Sequence, residues 1–416
     1  MHFSIPDTQE VKDESGSVYT SYNIHVNGVF HCSARYKQLR QFHEQLRREF
    51  GATSLPPFPP KKLLSLAAHE VEERRLMLER YIQLVSQDPA TGSSDIFNSF
   101  LHSAQQDSQK EAPERVSLDV FLMNGHKITV SITSTDQTDD VLEAVASQIE
   151  IPDDFVYYFG LYLVKKEDQG DNSIVRKLQD FESPYISLRT ANTEGVNRIV
   201  LRKSYWDSSF DDDLLENKVT MNLLYVQTVS DIERQWVLAT KEQLKHLSTL
   251  QQRGSKREYV RLARTLKYYG YVQFRPCITD YPDPNTRVIV AAGGKELNFR
   301  VQVGQNQIKE GNFKITRMRC WRITTILELS FEYLMSKDTL RWIAIVSDQA
   351  MLLSMCLQSM VDELIMKKQG KKFKKPQDRQ LQKSQRGGKS PFSPIDPGNV
   401  EVMQTALSSC IFITVQ

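Results

Sequence analysis

Cysteine is scarce in this chain of 416 residues. The five cysteines, Cys32, Cys277, Cys320, Cys356 and Cys410, are scattered, odd in number and never spaced Cys-x-x-Cys. That excludes a disulfide framework, a zinc ribbon and a thioredoxin-like centre, and points to a cytosolic chain with reduced thiols. No apolar run reaches the length of about 18 residues that a membrane-spanning helix needs. The opening MHFSIPDTQE has neither a basic n-region nor an apolar h-region, so secretion is not expected. The fingerprints of catalysis are missing too: there is no Gly-x-Ser-x-Gly, P-loop, His-Glu-x-x-His or Gly-x-Gly-x-x-Gly. The eight histidines are dispersed, and His43-Glu44 lacks a second ligand at a suitable spacing. No catalytic residue, metal ligand or cofactor is therefore assigned, and the chain is expected not to be an enzyme.

What is present is an ordinary globular composition, 40% hydrophobic and 25% charged. At roughly 150 residues per domain the length fits two to four domains. The net charge of +2 conceals an asymmetry. Residues 367–389 carry ten Lys or Arg against one Asp, a local +9, which leaves −7 (2 − 9) for the remainder. A mildly acidic body is a poor match for nucleic acid. The basic tail reads as a solvated, disordered linker, with contact to anionic lipid or an import signal as the alternatives.

Turn chemistry and periodicity divide the chain. Asn27-Gly28 between two apolar runs predicts a hairpin. Leu39, Phe42, Leu46 and Phe50 predict an amphipathic helix ended by Gly51. The loop LPPFPPKK cannot be regular, and a helix over 69–87 follows. The polar stretch SAQQDSQKEAPER reads as a linker. A second hairpin at Asn124-Gly125, a helix in DQTDDVLEAVASQIEIP and strands in FGLYLVKK, YISLR and NRIVLRK make up a ubiquitin-like roll. Residues 206–274 are mostly helical, with the last helix ended by Gly270. Strands return from Arg275, one hairpin turning at Gly293-Gly294, and a helix over 349–368 closes the folded part. The organisation expected is α+β and multidomain: 1–106, a linker 107–114, a ubiquitin-like lobe 115–205, a helical lobe 206–274, a sheet plus C-terminal helix 275–368 (PTB/PH-like by the family resemblance given below), and a disordered tail 369–416.

Two clusters invite chemistry. Arg74 falls on the apolar stripe of helix 69–87, where it either snorkels at the rim or meets an anion. Arg35 sits at a helix N-terminus, whose free N–H groups and dipole favour anions, and Tyr36 beside it offers a flat face. With Lys61-Lys62 closing the proline loop, these groups suit a phosphorylated sugar ring. The second cluster is near the end. Helix 349–368 is apolar along Leu353, Leu357, Met360 and Leu364 and again at Val361 and Ile365, so it must be buried twice or must present a groove. Along FKITRMRCWRI, one face reads Phe313, Ile315, Arg317, Arg319, Trp321, Ile323. Charge mixed with a large aromatic fits an edge strand that captures peptides by β-augmentation; the alternative is that Trp321 plugs the lobe.

Arg35-Tyr36, LPPFPPK and EERRLMLERYIQ, in this order and spacing, resemble the phosphoinositide-binding signature of PX domains. The resemblance implies that Arg35 grips the 3-phosphate, Tyr36 stacks under the inositol, Lys61 holds the 1-phosphate and Arg74 bonds the ring hydroxyls. It makes the proline loop a structural element rather than a ligand for a Src-homology-3 domain. Phrases such as YNIHVNGV, LRKSYWDS, TRMRCWR and CLQSMVDEL extend the likeness over about residues 1–368 to the PX-FERM sorting nexins. In that family the last lobe binds Asn-Pro-x-Tyr or Asn-x-x-Tyr receptor tails through the positions of Trp321, Val361 and Ile365. The implied protein is an endosomal cargo adaptor, cytoplasmic and peripheral on early endosomes. It would bind phosphatidylinositol 3-phosphate and tails such as those of integrin β subunits. A small-GTPase effector using the ubiquitin-like lobe is the rival, with NRIVLRKSYW supplying basic residues on a strand, charges that usually make a solvated edge. Within the family the likeness leans towards one paralogue of a closely related pair; the short connection after Trp321 (ITTILEL), expected to be dispensable for peptide binding, and the ending EVMQTALSSCIFITVQ depart from the pattern of the other. That ending also makes a contact with the retriever recycling complex doubtful.

Overall fold

Asn27 and Gly28 take φ of 50° and 79°. Left-handed backbone at both central residues is what a two-residue type I′ turn requires, and its twist matches the strands it joins. The computed structural model describes residues 1–13, 15–62, 66–166, 172–191, 195–303 and 307–378, which form two compact units.

The first unit comprises residues 1–116, 131–141 and 178–192. Strands β1 (Phe3–Ser4), β2 (Thr8–Lys12), β3 (Val18–Val26) and β4 (Val29–Arg35) form one antiparallel sheet in which β3 pairs with each of the others. The helices are α1 (Tyr36–Phe50), α2 (Ala68–Gln87), α3 (Pro89–Gly92) and α4 (Asp95–Gln109). Leu39, Phe42 and Leu46 are the buried stripe of α1, which Gly51 ends at φ 83°. They join Phe3, Ile24, Leu78, Tyr81, Phe97 and Leu101 in the core. The segment read as a polar linker departs from expectation: α4 runs through to Gln109, with Ala104 and Gln105 buried on its inner side. Phe181 inserts into this core at 1% exposure, edge-on to His31 at 5.3 Å, while Gln105 accepts from the Ser183 N–H (2.8 Å) and donates to the Ser187 hydroxyl (3.1 Å).

The ubiquitin-like lobe contains β5 (Arg115–Phe121), β6 (Lys127–Thr133), α5 (Thr138–Gln148), β7 (Phe159–Lys166), β8 (Asn172–Lys177), α6 (Pro184–Arg189) and β9 (Val196–Lys203). Its sheet runs β6-β5-β9-β7-β8, with β5 parallel to β9. YISLR, expected as a strand, is helix α6. Ser183 caps it by accepting from the Ile186 N–H, and Pro184 stands where a helix needs no N–H.

The second unit takes the remaining described residues. Helices α7 (Asp211–Leu215), α8 (Lys218–Glu233), α9 (Lys241–Gln252) and α10 (Lys256–Ala263) form the helical lobe; α10 stops seven residues before Gly270, and Tyr268 and Gly270 then turn at positive φ. The third lobe has β10 (Val272–Gln273), β11 (Cys277–Thr279), β12 (Thr286–Gly293), β13 (Glu296–Val303), β14 (Gln307–Lys314), β15 (Met318–Thr325), β16 (Glu328–Ser336), β17 (Thr339–Val346) and α11 (Ala350–Lys368). Its sheet runs β14-β13-β12-β11-β17-β16-β15, with β10 beside β12. The β12–β13 turn is centred on Gly294 and Lys295, at φ 57° and 66°, one residue later than expected. At Gly293 a Cβ would stand 2.6 Å from the Tyr271 ring, so only glycine fits.

Three expectations about this unit are corrected. FKITRMRCWRI is not one strand: a turn of 3-10 helix at Ile315–Arg317 separates β14 from β15, and a register shift falls between Met318 and Cys320. Arg319 therefore faces solvent while Trp321 faces inward. Arg202 and Lys203 of NRIVLRK are not a solvated edge, since β9 is the central strand and both are buried. Arg202 stands 3.7 Å from Asp231, and Lys203 3.7 Å from the fully buried Asp211, which also accepts from the Tyr205 and Tyr269 hydroxyls. The tail, finally, does not leave the fold at residue 369: residues 371–378 lie against the second unit, held by Phe373 and Lys375. The rest of it, 379–416, with Cys410, lies outside the described residues. Cys32, Cys277, Cys320 and Cys356 are buried free thiols. No helix among the described residues is long and apolar enough to cross a membrane.

Two candidate binding sites

The β4-to-α1 junction and the proline loop build the first site. Arg35 is the residue before α1, and its N–H donates to the Gln38 side chain at 2.8 Å, half of a capping box. Its guanidinium lies 3.6 Å from the centre of the Tyr19 ring and 3.9 Å from Asp13, with 40% of the side chain exposed. An ion pair that long and that wet holds the group loosely. Arg74, on α2, lies 4.2 Å from the centre of the Tyr36 ring, with Nη2 3.5 Å from the Pro60 carbonyl. No carboxylate pairs with Arg74 among the described residues; the neighbouring Arg75 is the one that pairs, with Glu72 and Glu79.

The loop itself is fastened by Phe58. Its ring stacks on His43 at 4.6 Å and meets Tyr81 edge-on at 4.9 Å, and the Tyr36 hydroxyl donates to the Pro59 carbonyl at 2.8 Å. Burial pushes the Tyr81 hydroxyl well up and lowers His43, so the His43 Nδ1 contact with that hydroxyl (2.8 Å) stays between neutral groups. Lys61 is exposed at the end of the loop, while Lys62 is tied to Glu70 at 2.7 Å.

The structure thus brings Tyr36 and Arg74 together and sets Arg35 at the adjoining helix start. One face of the Tyr36 plate is covered by Arg74, which sequence reasoning did not foresee. It also missed Tyr19, although Arg35 pairs in register with Ser21 and the residue two positions before Ser21 must share its face.

The second site lies along β15, an outer strand of the third-lobe sheet. Helix α11 packs against it. Leu353, Cys356, Leu357, Met360 and Val361 cover the sheet, and on another side Glu363 accepts from the N–H groups of Trp206 (2.7 Å) and Asp207 (2.8 Å). Ser359 takes the Trp206 indole N–H at 3.0 Å. The helix is therefore buried twice, one of the two outcomes its sequence allowed. Trp321 is 2% exposed, and its indole N–H donates to Ser354 on α11 at 3.1 Å; it is the plug between strand and helix. Val361 is 4% exposed, and Ile365 packs half-buried at the margin. The three residues are gathered around one strand–helix junction, but only Ile365 is open enough to touch a visitor broadly. Among the described residues no cluster of His, Cys, Asp or Glu could hold a metal ion.

Comparison with known proteins follows the same division. Residues 22–104 match the PX domain family, 116–206 the F1 lobe of the sorting nexin 17/27/31 FERM domain, 207–267 the F2 lobe of the sorting nexin 17/31 FERM domain, and 270–365 the sorting nexin 17 FERM C-terminal domain. Sorting nexin-17 of Danio rerio is 51% identical over 440 residues, covering 98% of this chain and 93% of its own length. Sorting nexin-17 of Homo sapiens is 53% identical over 395 residues, covering 90% and 84%. Sorting nexin-31 of Homo sapiens is 37% identical over 384 residues, covering 88% and 86%. Identity is thus higher to the sorting nexin-17 sequences than to sorting nexin-31. The chain belongs to the PX-FERM sorting nexins, protein-transport adaptors that join a PX domain to a three-lobed FERM-like module.

Proposed function

We propose that the chain is a non-enzymatic endosomal cargo adaptor. Its PX domain binds phosphatidylinositol 3-phosphate through Arg35, Tyr36, Lys61 and Arg74. Its third lobe binds Asn-Pro-x-Tyr or Asn-x-x-Tyr tails, such as those of integrin β subunits, along β15 and α11 near Trp321, Val361 and Ile365. The observation that carries this reading is Arg74, a half-exposed guanidinium held by a ring face and a carbonyl, with no carboxylate pairing with it among the described residues. Such a group is ready for a charge-assisted bidentate contact. The outer strand beside an apolar helix supports the peptide half.

The small-GTPase alternative loses its main support, because Arg202 and Lys203 are buried against Asp231 and Asp211. Peripheral association with early endosomes follows from the lipid reading.

The test joins both sites. A fluorescent Asn-Pro-x-Tyr peptide is mixed with the protein and with vesicles containing or lacking phosphatidylinositol 3-phosphate. The peptide should sediment with the 3-phosphorylated vesicles only when protein is present, and should fail to do so with Arg35→Gln protein or with Asn and Tyr of the peptide changed to Ala. Equal recovery on vesicles without the 3-phosphate would refute the lipid assignment. Equal recovery of the Ala-substituted peptide would refute the cargo assignment.

A further inference from the structure

The residues that follow α11 form a strap whose grip rests on a few side chains. The Phe373 ring lies 4.3 Å from Tyr158, 5.0 Å from Phe210 and 6.3 Å from Tyr205, centroid to centroid. Tyr158 and Phe210 stand nearly perpendicular, at 88°, and Tyr205 is buried beneath them, so three rings make a box around the fourth. Edge-to-face contacts of this kind favour an aromatic occupant. The rim is acidic. Asp154 pairs with Lys375 at 2.6 Å, Asp153 accepts from Gln377 at 3.4 Å, and Asp207 pairs with Lys367, where α11 hands over to the strap, at 2.6 Å. Pro376 is buried after the second lysine. Among the described residues no backbone–backbone hydrogen bond ties 372–378 to any other segment. A segment held by one ring, one proline and exposed ion pairs can leave without breaking a ladder, and each such ion pair contributes little.

We propose that the box formed by Tyr158, Tyr205 and Phe210, with Asp153 and Asp154 at its rim, is a docking site for short peptide segments. Its ligand class is a Phe set between lysines and followed by proline, and residues 371–376 of this chain are its resident occupant. The occupant's own chemistry defines the ligand: the ring fills the box and the lysines meet the carboxylates. A ligand supplied by another protein competes with a tethered strap whose effective concentration is high, so the site is largely closed until the strap is displaced. This site is separate from β15 and from the arginine pocket, and the inference does not depend on either.

The test uses the full chain and a fluorescein-labelled peptide Lys-Lys-Phe-Lys-Lys-Pro, read by anisotropy at about 150 mM salt, where exposed charges are screened beyond about 8 Å. The Phe373→Ala protein should bind the probe about tenfold or more tighter than the unaltered chain, because the cis competitor is gone. Adding Tyr158→Ala, or replacing the probe's Phe with Ala, should reverse that gain. Lys375→Glu, an exposed change opposite Asp154, loosens the strap by charge alone and should also raise affinity; it serves if Phe373→Ala melts early. Absence of saturable binding to both loosened proteins would overturn the proposal. So would equal binding of the Ala-substituted probe, which would reduce the effect to charge attraction.

Discussion

The guanidinium of Arg74 lies across the ring of Tyr36, 4.2 Å from its centre. The arginine expected to bond a sugar ring and the tyrosine expected to lie beneath that ring are already in contact. A cation–π pair at a partly exposed position contributes about 0.5–1 kcal/mol, less than a charge-assisted bidentate contact at roughly 1.5–3 kcal/mol, so an anionic ring can draw Arg74 off the plate.

Arg35→Gln should therefore weaken binding to vesicles carrying phosphatidylinositol 3-phosphate by about 10- to 150-fold, with the melting temperature unchanged because the side chain is half-exposed. Arg74→Lys keeps the charge but loses the flat fork, and should fall between the unaltered protein and Arg74→Gln. Vesicle co-sedimentation with a thermal melt checks both. Unchanged binding by a folded Arg35→Gln protein would remove the lipid assignment.

At the second site the burial of Trp321 separates stability from recognition. Trp321→Ala empties a packed position between β15 and α11 and should destabilise the second unit by about 3–5 kcal/mol, so its loss of peptide binding is partly a loss of fold. Ile365→Asp, at the open margin of α11, should melt nearly normally and still lose Asn-Pro-x-Tyr peptide. Titration of the Ile365→Asp protein decides the matter; retained affinity would move the peptide elsewhere.

Asp211 has a structural role away from both proposed binding sites. It is fully buried, faces Lys203 and Arg264 and accepts from two tyrosines. Removing one member of a buried charged set leaves the others uncompensated, at a cost of about 3–5 kcal/mol. Asp211→Ala should lower the melting temperature by on the order of 10 °C and leave the affinity of the first unit for vesicles untouched.

His2 gives the first unit an acid sensitivity. Burial drops its pKa from an ordinary 6.5 to about 4. Below pH 6.5 the unfolded chain takes up a proton that the folded form refuses, so stability is full above that pH and falls as the pH drops towards 4. The loss should reach about 2–3 kcal/mol at pH 4.5. Denaturant titrations from pH 7 to 4.5 should show a shallower fall in His2→Gln protein; parallel curves would exclude this origin.

Local chemistry made much of the fold legible beforehand. The I′ turn at Asn27-Gly28, the stripe Leu39-Phe42-Leu46 and the Gly51 stop are decided within a few residues, and the structure keeps all three. Where reading failed, something outside the window decided. YISLR has the composition of a strand, but a Ser-Pro start made it a helix. The inward turn of Trp321 depends on a register shift between Met318 and Cys320 that alternation cannot reveal. Phe373 was hidden by the lysines around it, since a charge run reads as solvated whatever single ring it carries. The four residues proposed for the lipid pocket came from family resemblance. The grip of Arg74 on Tyr36 was not, because it depends on where α2 comes to rest.

Phe181 sits deep among Phe97, His31 and their neighbours, yet it lies some 75 residues beyond the point where a sequence boundary would end the first domain. A protein cut at that boundary would keep Arg35, Tyr36, Lys61 and Arg74 and lose a ring buried in the core of the first unit. Measurements on such a fragment report on a leakier molecule than the cell uses. An exchange of PX domains between relatives should succeed only when the donor brings, or the recipient supplies, an aromatic side chain of matching shape. The PX domain and the residues around Phe181 in the first FERM lobe therefore share one hydrophobic core.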